Sequence, residues 1–158
     1  MANKRDLPVF GGVLGSLGAG PPSLDEARAK LGGPWVGGPD IGRVVRVPAP
    51  IGHRVGVVIH ASDTHRDVWI GAGRIQRVVA ADVEGAEDGS LDEVVADARM
   101  HAGLTAEQPV VFQHRDGRTE EAVVVEKLRF GSLVGTEDGR ILAVSFRRVA
   151  PRDGDAPS

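Results

Sequence analysis

The chain has 158 residues, of which 41% are hydrophobic and 26% charged, and this is enough apolar material for one domain or two very small ones. It contains no cysteine, which excludes disulfides, thiolate-bound zinc and thiol catalysis. Aromatic residues make up 4% and the formal net charge is −3, so we expect no nucleic-acid partner.

The first 22 residues predict a flexible arm rich in glycine and proline. The uncharged run from Leu7 to Leu24 contains five glycines and three prolines, too many for a membrane-spanning helix. Asp6 and Pro8 also interrupt any secretion signal after Lys4. We therefore expect no membrane partner, a cytoplasmic location, and an arm over residues 1–22 that becomes ordered on a partner protein.

Two short helices are predicted to begin at the same four residues, Ser-Leu-Asp-Glu, at 23–26 and at 90–93. A serine followed three residues later by a glutamate is a capping box, in which each side chain bonds an amide of the first turn. The first helix is expected to end at Gly32 and the second at Gly103. The second has an apolar face at helical spacing, formed by Leu91, Val94, Val95, Ala98 and Ala102.

Short strands are predicted on both sides of the second helix. In the first half they are 42–47, 54–61, 67–70 and 74–81. In the second half, apolar runs meet across Asp116-Gly117 and across Asp138-Gly139. Asp-Gly favours the positive φ values of a tight hairpin turn, so this half is predicted to be a meander of about four strands.

An offset of 66 places residues 54–79 over residues 120–145, with Val57-Val58-Ile59 on Val123-Val124-Val125. This match, together with the repeated helix start, predicts an internal duplication.

The expected fold class is therefore mainly β (α+β): two related small β-barrel-like or SH3-like units, each preceded by a short helix, packed together. The predicted boundaries are a first unit at 23–83, an acidic linker at 84–89, a second unit at 90–151 and a disordered tail at 152–158.

The stretch from Val55 to Asp67 carries the densest polar cluster. An apolar strand followed by Asp63-Thr64-His65 resembles the first motif of the calcineurin-like metallophosphoesterases, in which Asp63 and His65 would bind metal. That family also has a Gly-Asn-His motif and a late Gly-His-x-His motif. The only asparagine is Asn3, and neither His101 nor His114 follows a glycine, so both later motifs are absent and we reject this family.

A smaller site remains as an alternative, in which His60, Asp63 and His65 bind one divalent metal ion such as zinc, and His53 or Asp67 acts as a base. The competing interpretation is a polar turn, because serine, aspartate and threonine bond their own backbone in turns. We favour the turn, and expect no catalytic residue and no cofactor.

The sequence offers little other chemistry. No serine lies in a Gly-x-Ser-x-Gly motif, and the arginine pairs Arg74/Arg77 and Arg147/Arg148 are typical of charged strand edges. We expect a non-enzymatic adaptor or assembly subunit that binds another protein through the arm 1–22 or a strand edge. The alternatives are a small metal-dependent hydrolase or lyase, and a virion or shell component. The sequence leaves the oligomeric state open.

Overall fold

A computed structural model gives the structure of residues 23–152; the predicted arm, 1–22, and all but the first residue of the predicted tail lie outside the described residues. The described chain is mainly β, with two five-stranded antiparallel sheets and two α-helices, as the sequence predicted. Helix α1 is Leu24–Lys30 and helix α2 is Asp92–Ala102. No helix between residues 23 and 152 is long and apolar enough to cross a membrane.

The first sheet has the strand order β4-β3-β2-β1-β5. Its inward side chains alternate along the strands with outward ones and form an apolar core of Val45, Val47, Val58, Val68 and Val78. The strands are β1 Val44–Pro48, β2 His53–Ala61, β3 His65–Gly71, β4 Arg74–Val79 and β5 Glu84–Gly85.

The second sheet has the strand order β10-β6-β7-β8-β9. The strands are β6 Pro109–Gln113, β7 Thr119–Lys127, β8 Gly131–Thr136, β9 Ile141–Ser145 and β10 Val149–Pro151. The predicted hairpin turns are confirmed: Gly117 and Gly139 have φ values of 94° and 88°, which glycine adopts without strain. The core of this sheet consists of Leu104, Val110, Phe112, Ala122, Val124, Val134, Leu142, Val144 and Val149.

The two sheets repeat one pattern at an offset of 66. Strand β2 begins at residue 53 and β7 at 119, and 53 + 66 = 119. Both sheets have a short 3-10 helix between their fourth and fifth strands, Ala80–Asp82 and Phe146–Arg148, again 66 residues apart. Each also has an irregularity in the ladder between its second and third strands, at 58/60 and 124/126. The two halves therefore share strand order, strand length and the position of a bulge.

Each helix packs on the sheet of the other half of the chain. Helix α1 contributes Ala27 and Leu31 to a cluster with Leu128 and Leu133 of the second half, whereas α2 packs against β2. The chain accordingly forms two compact units, one running to Pro34 and resuming at Leu104, the other Trp35–Gly103.

The sequence prediction assigned each helix to the strands that follow it. Helical periodicity identifies an apolar face but not the sheet that it covers, which explains the difference. The boundaries of 23–83 and 90–151 as repeat units stay a prediction.

The helix ends agree with the sequence in three of four places. The capping box at Ser23 forms, with Ser23 Oγ accepting the Glu26 amide at 3.1 Å and Glu26 Oε1 accepting the Ser23 amide at 2.9 Å. The first helix stops before Gly32 and the second at Gly103. The second box, predicted at Ser90, does not form. Asp88 takes the Ser90 amide and hydroxyl instead and caps a 3-10 turn, so α2 begins only at Asp92.

Candidate functional site

The polar residues after β2 form the tight turn that leads into β3. Ser62 Oγ accepts the backbone N–H groups of Thr64 and His65 at 3.3 and 3.1 Å. The Ser62 amide donates in turn to the His65 carbonyl at 2.9 Å. These bonds are the ones that the turn interpretation of this stretch predicted, so that interpretation is confirmed.

His60 lies near the end of β2 and is 2% exposed. Its Nε2 accepts the backbone N–H of Val36 at 3.1 Å, so Nε2 carries no hydrogen and the ring is the Nδ1–H tautomer. Nδ1 faces Asp67 Oδ2 at 3.4 Å, which is longer than a hydrogen bond of normal geometry. Both ring nitrogens are thus directed at protein groups.

The segment that approaches His60 is held along the end of β2 by backbone contacts. The Ala61 amide donates to the Gly37 carbonyl at 3.1 Å. Gly38 has a φ of 110°, and a Cβ there would lie 2.3 Å from the Ala61 carbonyl oxygen, so only glycine fits. This close approach places the Val36 amide in front of the His60 ring.

Trp35 completes a buried group, which we call the His60 cluster: Trp35, His60, Asp67 and His101. The Trp35 ring meets His60 and His101 edge to face, with centroids 5.0 and 5.3 Å apart. His101 of α2 and Asp67 of β3 are both buried, and Arg77 Nη1 lies 3.8 Å from Asp67 Oδ1. The cluster joins β2, β3 and α2 to the segment before β1, which is a structural role.

The predicted metal ligands do not share one environment. His60 is enclosed in the cluster, Asp63 is exposed in the turn, and His65 Nδ1 lies 2.8 Å from the Thr64 hydroxyl. His53, named as a possible base, is exposed at the start of β2. Within residues 23–152, no three His, Asp, Glu or Cys side chains are grouped so that they could hold a metal ion.

The other predicted features have mixed outcomes. The acidic linker 84–89 is partly structured, because Glu84–Gly85 form β5 and Asp88 is a cap. Arg74 begins the edge strand β4, and the pair Arg147/Arg148 lies in a 3-10 helix before the edge strand β10. The arm lies outside the described residues.

An open groove of about 420 Å³ lies between the start of β1, residues 85–89 and one face of α2. Its exposed side chains carry both signs of charge, with Arg43 and Arg99 opposed by Glu87 and Asp92. Arg43 also lies 3.7 Å from Asp40. The mixed charge gives this groove no selectivity for an anion or a cation.

The outer surface of the second sheet contains an unusual pair of side chains. Val123 and Val125 of β7 are 41% and 45% exposed, although β7 is an interior strand between β6 and β8. Between and beside them, Ala122 and Val124 point into the core. The exposed pair therefore projects from the opposite face of the same strand.

The neighbours of these valines extend the apolar surface. Val123 is paired with Pro109 of β6 on one side and Gly135 of β8 on the other. Gly135 adds no side chain, and a Cβ there would lie 3.2 Å from Val125 Cγ2. On the same side of the sheet, alternation places one further residue of β6 and one of β10. We call this surface the open face: Pro109, Val111, Val123, Val125, Gly135 and Ala150.

The same positions on the first sheet are covered. The offset of 66 relates Val123 to Val57 and Val125 to Ile59, which are 0% and 2% exposed. Helix α2 packs against β2, the strand that carries Val57 and Ile59. On the second sheet α1 packs instead on the β8–β9 half, with Leu133 and the side chains of β9. The β6–β7 half is left open.

Polar side chains surround the open face. Glu121 follows the same outward side of β7, with a side chain 68% exposed and 3.9 Å from Arg152. Glu126 accepts a hydrogen bond from Arg28 Nε of α1 at 2.7 Å, and this bond raises the pKa of Arg28 above its usual value. Lys127 Nζ donates to the Leu104 carbonyl, while burial lowers the pKa of Lys127. An apolar patch with a polar rim is typical of a protein-binding surface.

Sequence reasoning did not identify the open face. Three successive valines, Val123-Val124-Val125, were interpreted as one apolar strand segment. The available signal was Glu121, which shares its side of β7 with Val123 and so marks that side as solvent-facing.

No family model matches the chain, and no curated protein matches its sequence. The geometry of the molecule therefore carries the functional assignment.

Proposed function

We propose that the protein is a non-enzymatic protein–protein interaction or adaptor module, and that the open face is its binding surface. The observation that carries this proposal is the exposure of Val123 and Val125 side by side on an interior strand. Covering the exposed half of each side chain would contribute about 1 kcal/mol per valine. Single exposed valines are common, but a contiguous apolar face with a polar rim favours a partner.

The shared architecture of the two sheets supports a finer proposal, that each is a small SH3-like barrel and that the pair arose by internal duplication. The supporting facts are the common strand order, the bulge at equivalent positions and the two 3-10 helices 66 residues apart. In such a pair the first copy has its outer valine positions covered. The second copy has them open and is the copy that binds.

The His60 cluster supports a non-enzymatic role. A general base needs a ring nitrogen within hydrogen-bond reach of the substrate, directly or through one water molecule. His60 Nε2 already accepts the Val36 amide, and Nδ1 faces the buried Asp67. The cluster therefore resembles a general base held by a carboxylate in composition only, because its reactive nitrogen is used by the backbone.

The proposal is tested with a photo-crosslinking residue placed at position 125 in cells that make the protein. The matched control is position 79, because Val79 is a comparably exposed valine on the first sheet, 49% exposed. We expect a discrete adduct from position 125 that is absent from position 79 and is lost when Val123→Asp is added. Identical adducts from both positions, or none from 125, would contradict the proposal.

A further inference from the structure

We infer that the open face has an occupant built into the same chain: residues 7–17 of the N-terminal arm cover Val123 and Val125 until a partner protein displaces them. This inference rests on the proposed function, since it assigns a regulator to the same surface. Its test is separable from that of the proposed function.

The composition of the arm makes it a suitable occupant. Residues 7–17 carry no charge. A chain of 22 residues is too short to bury such side chains in a core of its own, so covering them requires another apolar surface. The apolar side chains of this stretch are Leu7, Val9, Phe10, Val13, Leu14 and Leu17.

The point where the arm meets the described chain places it beside the open face. The arm leads into Ser23, the cap of α1, and α1 packs on the β8–β9 half of the same sheet surface. Arg28 of α1 contacts Glu126, the residue next to Val125. Ser23 lies about 8 Å from Arg28 along the helix axis, at 1.5 Å per residue.

The remaining distance is short compared with the length of chain available. Residues 18–22 can span about 17 Å when extended. Neighbouring strands are about 4.8 Å apart, so the open half of the sheet begins one or two strands from the part that α1 covers. The apolar stretch 7–17 can therefore reach the open face without unwinding α1.

The charges of the two surfaces are complementary. Lys4 and Arg5 precede the apolar stretch of the arm. Glu121 lies at the rim of the open face with most of its carboxylate side chain exposed. With residues 7–17 on the valines, the basic pair would lie near this acidic rim, which favours docking at low ionic strength.

Docking of the arm would set the affinity of the partner. A partner that needs the open face binds only the molecules in which the arm is displaced, so its apparent affinity falls by that fraction. Substitutions that weaken the arm contact should therefore strengthen partner binding. The expected gain equals the reciprocal of the displaced fraction.

The absence of cysteine allows a direct test. In Val125→Cys the new thiol is unique, and its rate of reaction with an uncharged maleimide reports whether the face is covered. The comparison is the full chain with and without the arm substitutions Phe10→Asp and Leu14→Asp. We expect the intact arm to slow the reaction at least about tenfold, as for an arm docked about nine-tenths of the time. Val79→Cys, the control, should react equally in both chains.

Three results would overturn the inference. The first is an equal reaction rate of Val125→Cys with and without the arm substitutions. The second is protection that rises with protein concentration, which would identify a second copy as the occupant. The third is equal protection of Val79→Cys. If Val125→Cys folds poorly, Val123→Cys provides the same readout on the neighbouring outward position.

The two proposals fail in different ways. If the thiol is not protected but position 125 still crosslinks to a partner, the arm inference is wrong and the binding function stands. If the thiol is protected and position 125 crosslinks to nothing even in the Phe10→Asp, Leu14→Asp chain, the proposed function is wrong. The open face would then serve only the arm.

Discussion

Val125 on the second sheet occupies the position that Ile59 occupies on the first, 66 residues earlier, yet Val125 is 45% exposed and Ile59 is buried. Both lie at the bulge between the second and third strands of their sheets. The strand pattern is the same in both halves, and the difference comes from helix placement. Helix α2 packs against β2, whereas α1 packs beyond β7 on the β8–β9 half. One scaffold therefore presents two different outer surfaces.

His60→Ala should lower the free energy of unfolding by about 2–4 kcal/mol. The substitution removes the acceptor of the Val36 amide and the ring that packs on Trp35. The matched control is His65→Ala, at a partly exposed ring whose contact is with the Thr64 hydroxyl, and it should change little. Urea unfolding measures both. Equal losses for the two variants would show that the cluster does not stabilise the fold.

Gly131→Ala should destabilise the second sheet by about 2 kcal/mol or more, because overpacking forces the backbone to move. A Cβ at Gly131 would lie 2.1 Å from the Val144 carbonyl oxygen on the paired strand β9. Gly89→Ala is the control, since nothing lies within 4 Å of a Cβ at that position. Thermal unfolding of the two variants should separate them clearly; a Gly131→Ala protein as stable as Gly89→Ala would refute the close packing.

Asp138 should make stability depend on pH in the acid range. It accepts a hydrogen bond from the Thr136 hydroxyl and two from Arg140 Nε, and these lower the pKa of Asp138, the Thr136 bond most. A carboxyl whose pKa is lowered by folding stabilises the protein above its unfolded pKa, about 4, and loses that contribution as pH falls through its folded pKa.

The advantage of the wild type over Asp138→Asn in free energy of unfolding should therefore shrink below about pH 4. Thr136→Val should weaken the same pH dependence, because it removes the largest cause of the lowered pKa. Urea unfolding at neutral and acid pH checks both variants. A difference between wild type and Asp138→Asn that does not change with pH would contradict this assignment.

Metal should not contribute to stability. The three predicted ligands His60, Asp63 and His65 lie in separate environments, and both nitrogens of His60 face protein groups. We expect the thermal midpoint to be the same in EDTA and in zinc, and untagged protein to contain no stoichiometric metal. A midpoint that falls in EDTA for the wild type but not for His65→Ala would favour the metal-dependent alternative.

The sequence was sufficient for the local structure of the chain. Asp-Gly pairs marked two hairpin turns, the Ser23 capping box marked a helix start, and Gly103 marked a helix end. These features are set by neighbouring residues, whose side chains bond nearby amides or allow positive φ. The turn after β2 was predicted for the same reason, from the capacity of Ser62 to bond its own backbone.

Features that depend on residues far apart in the chain were not predictable in this way. Asp67 was interpreted as part of a polar turn, but its position opposite His60 in the β2–β3 ladder buries it. Helix α1 was assigned to the first sheet, although its apolar side chains pack on the second. The open face follows from that helix placement, so no local pattern in β7 could have shown which valines stay exposed.

The most direct test of the proposed function is the affinity of the partner captured at position 125 for purified variants of the full chain. We expect Val123→Asp with Val125→Asp to weaken binding by at least about a hundredfold, because two buried apolar contacts would be replaced by two desolvated charges. Val79→Asp on the first sheet should leave the affinity unchanged. Equal affinity of the double variant and the wild type would contradict the open face as the binding surface.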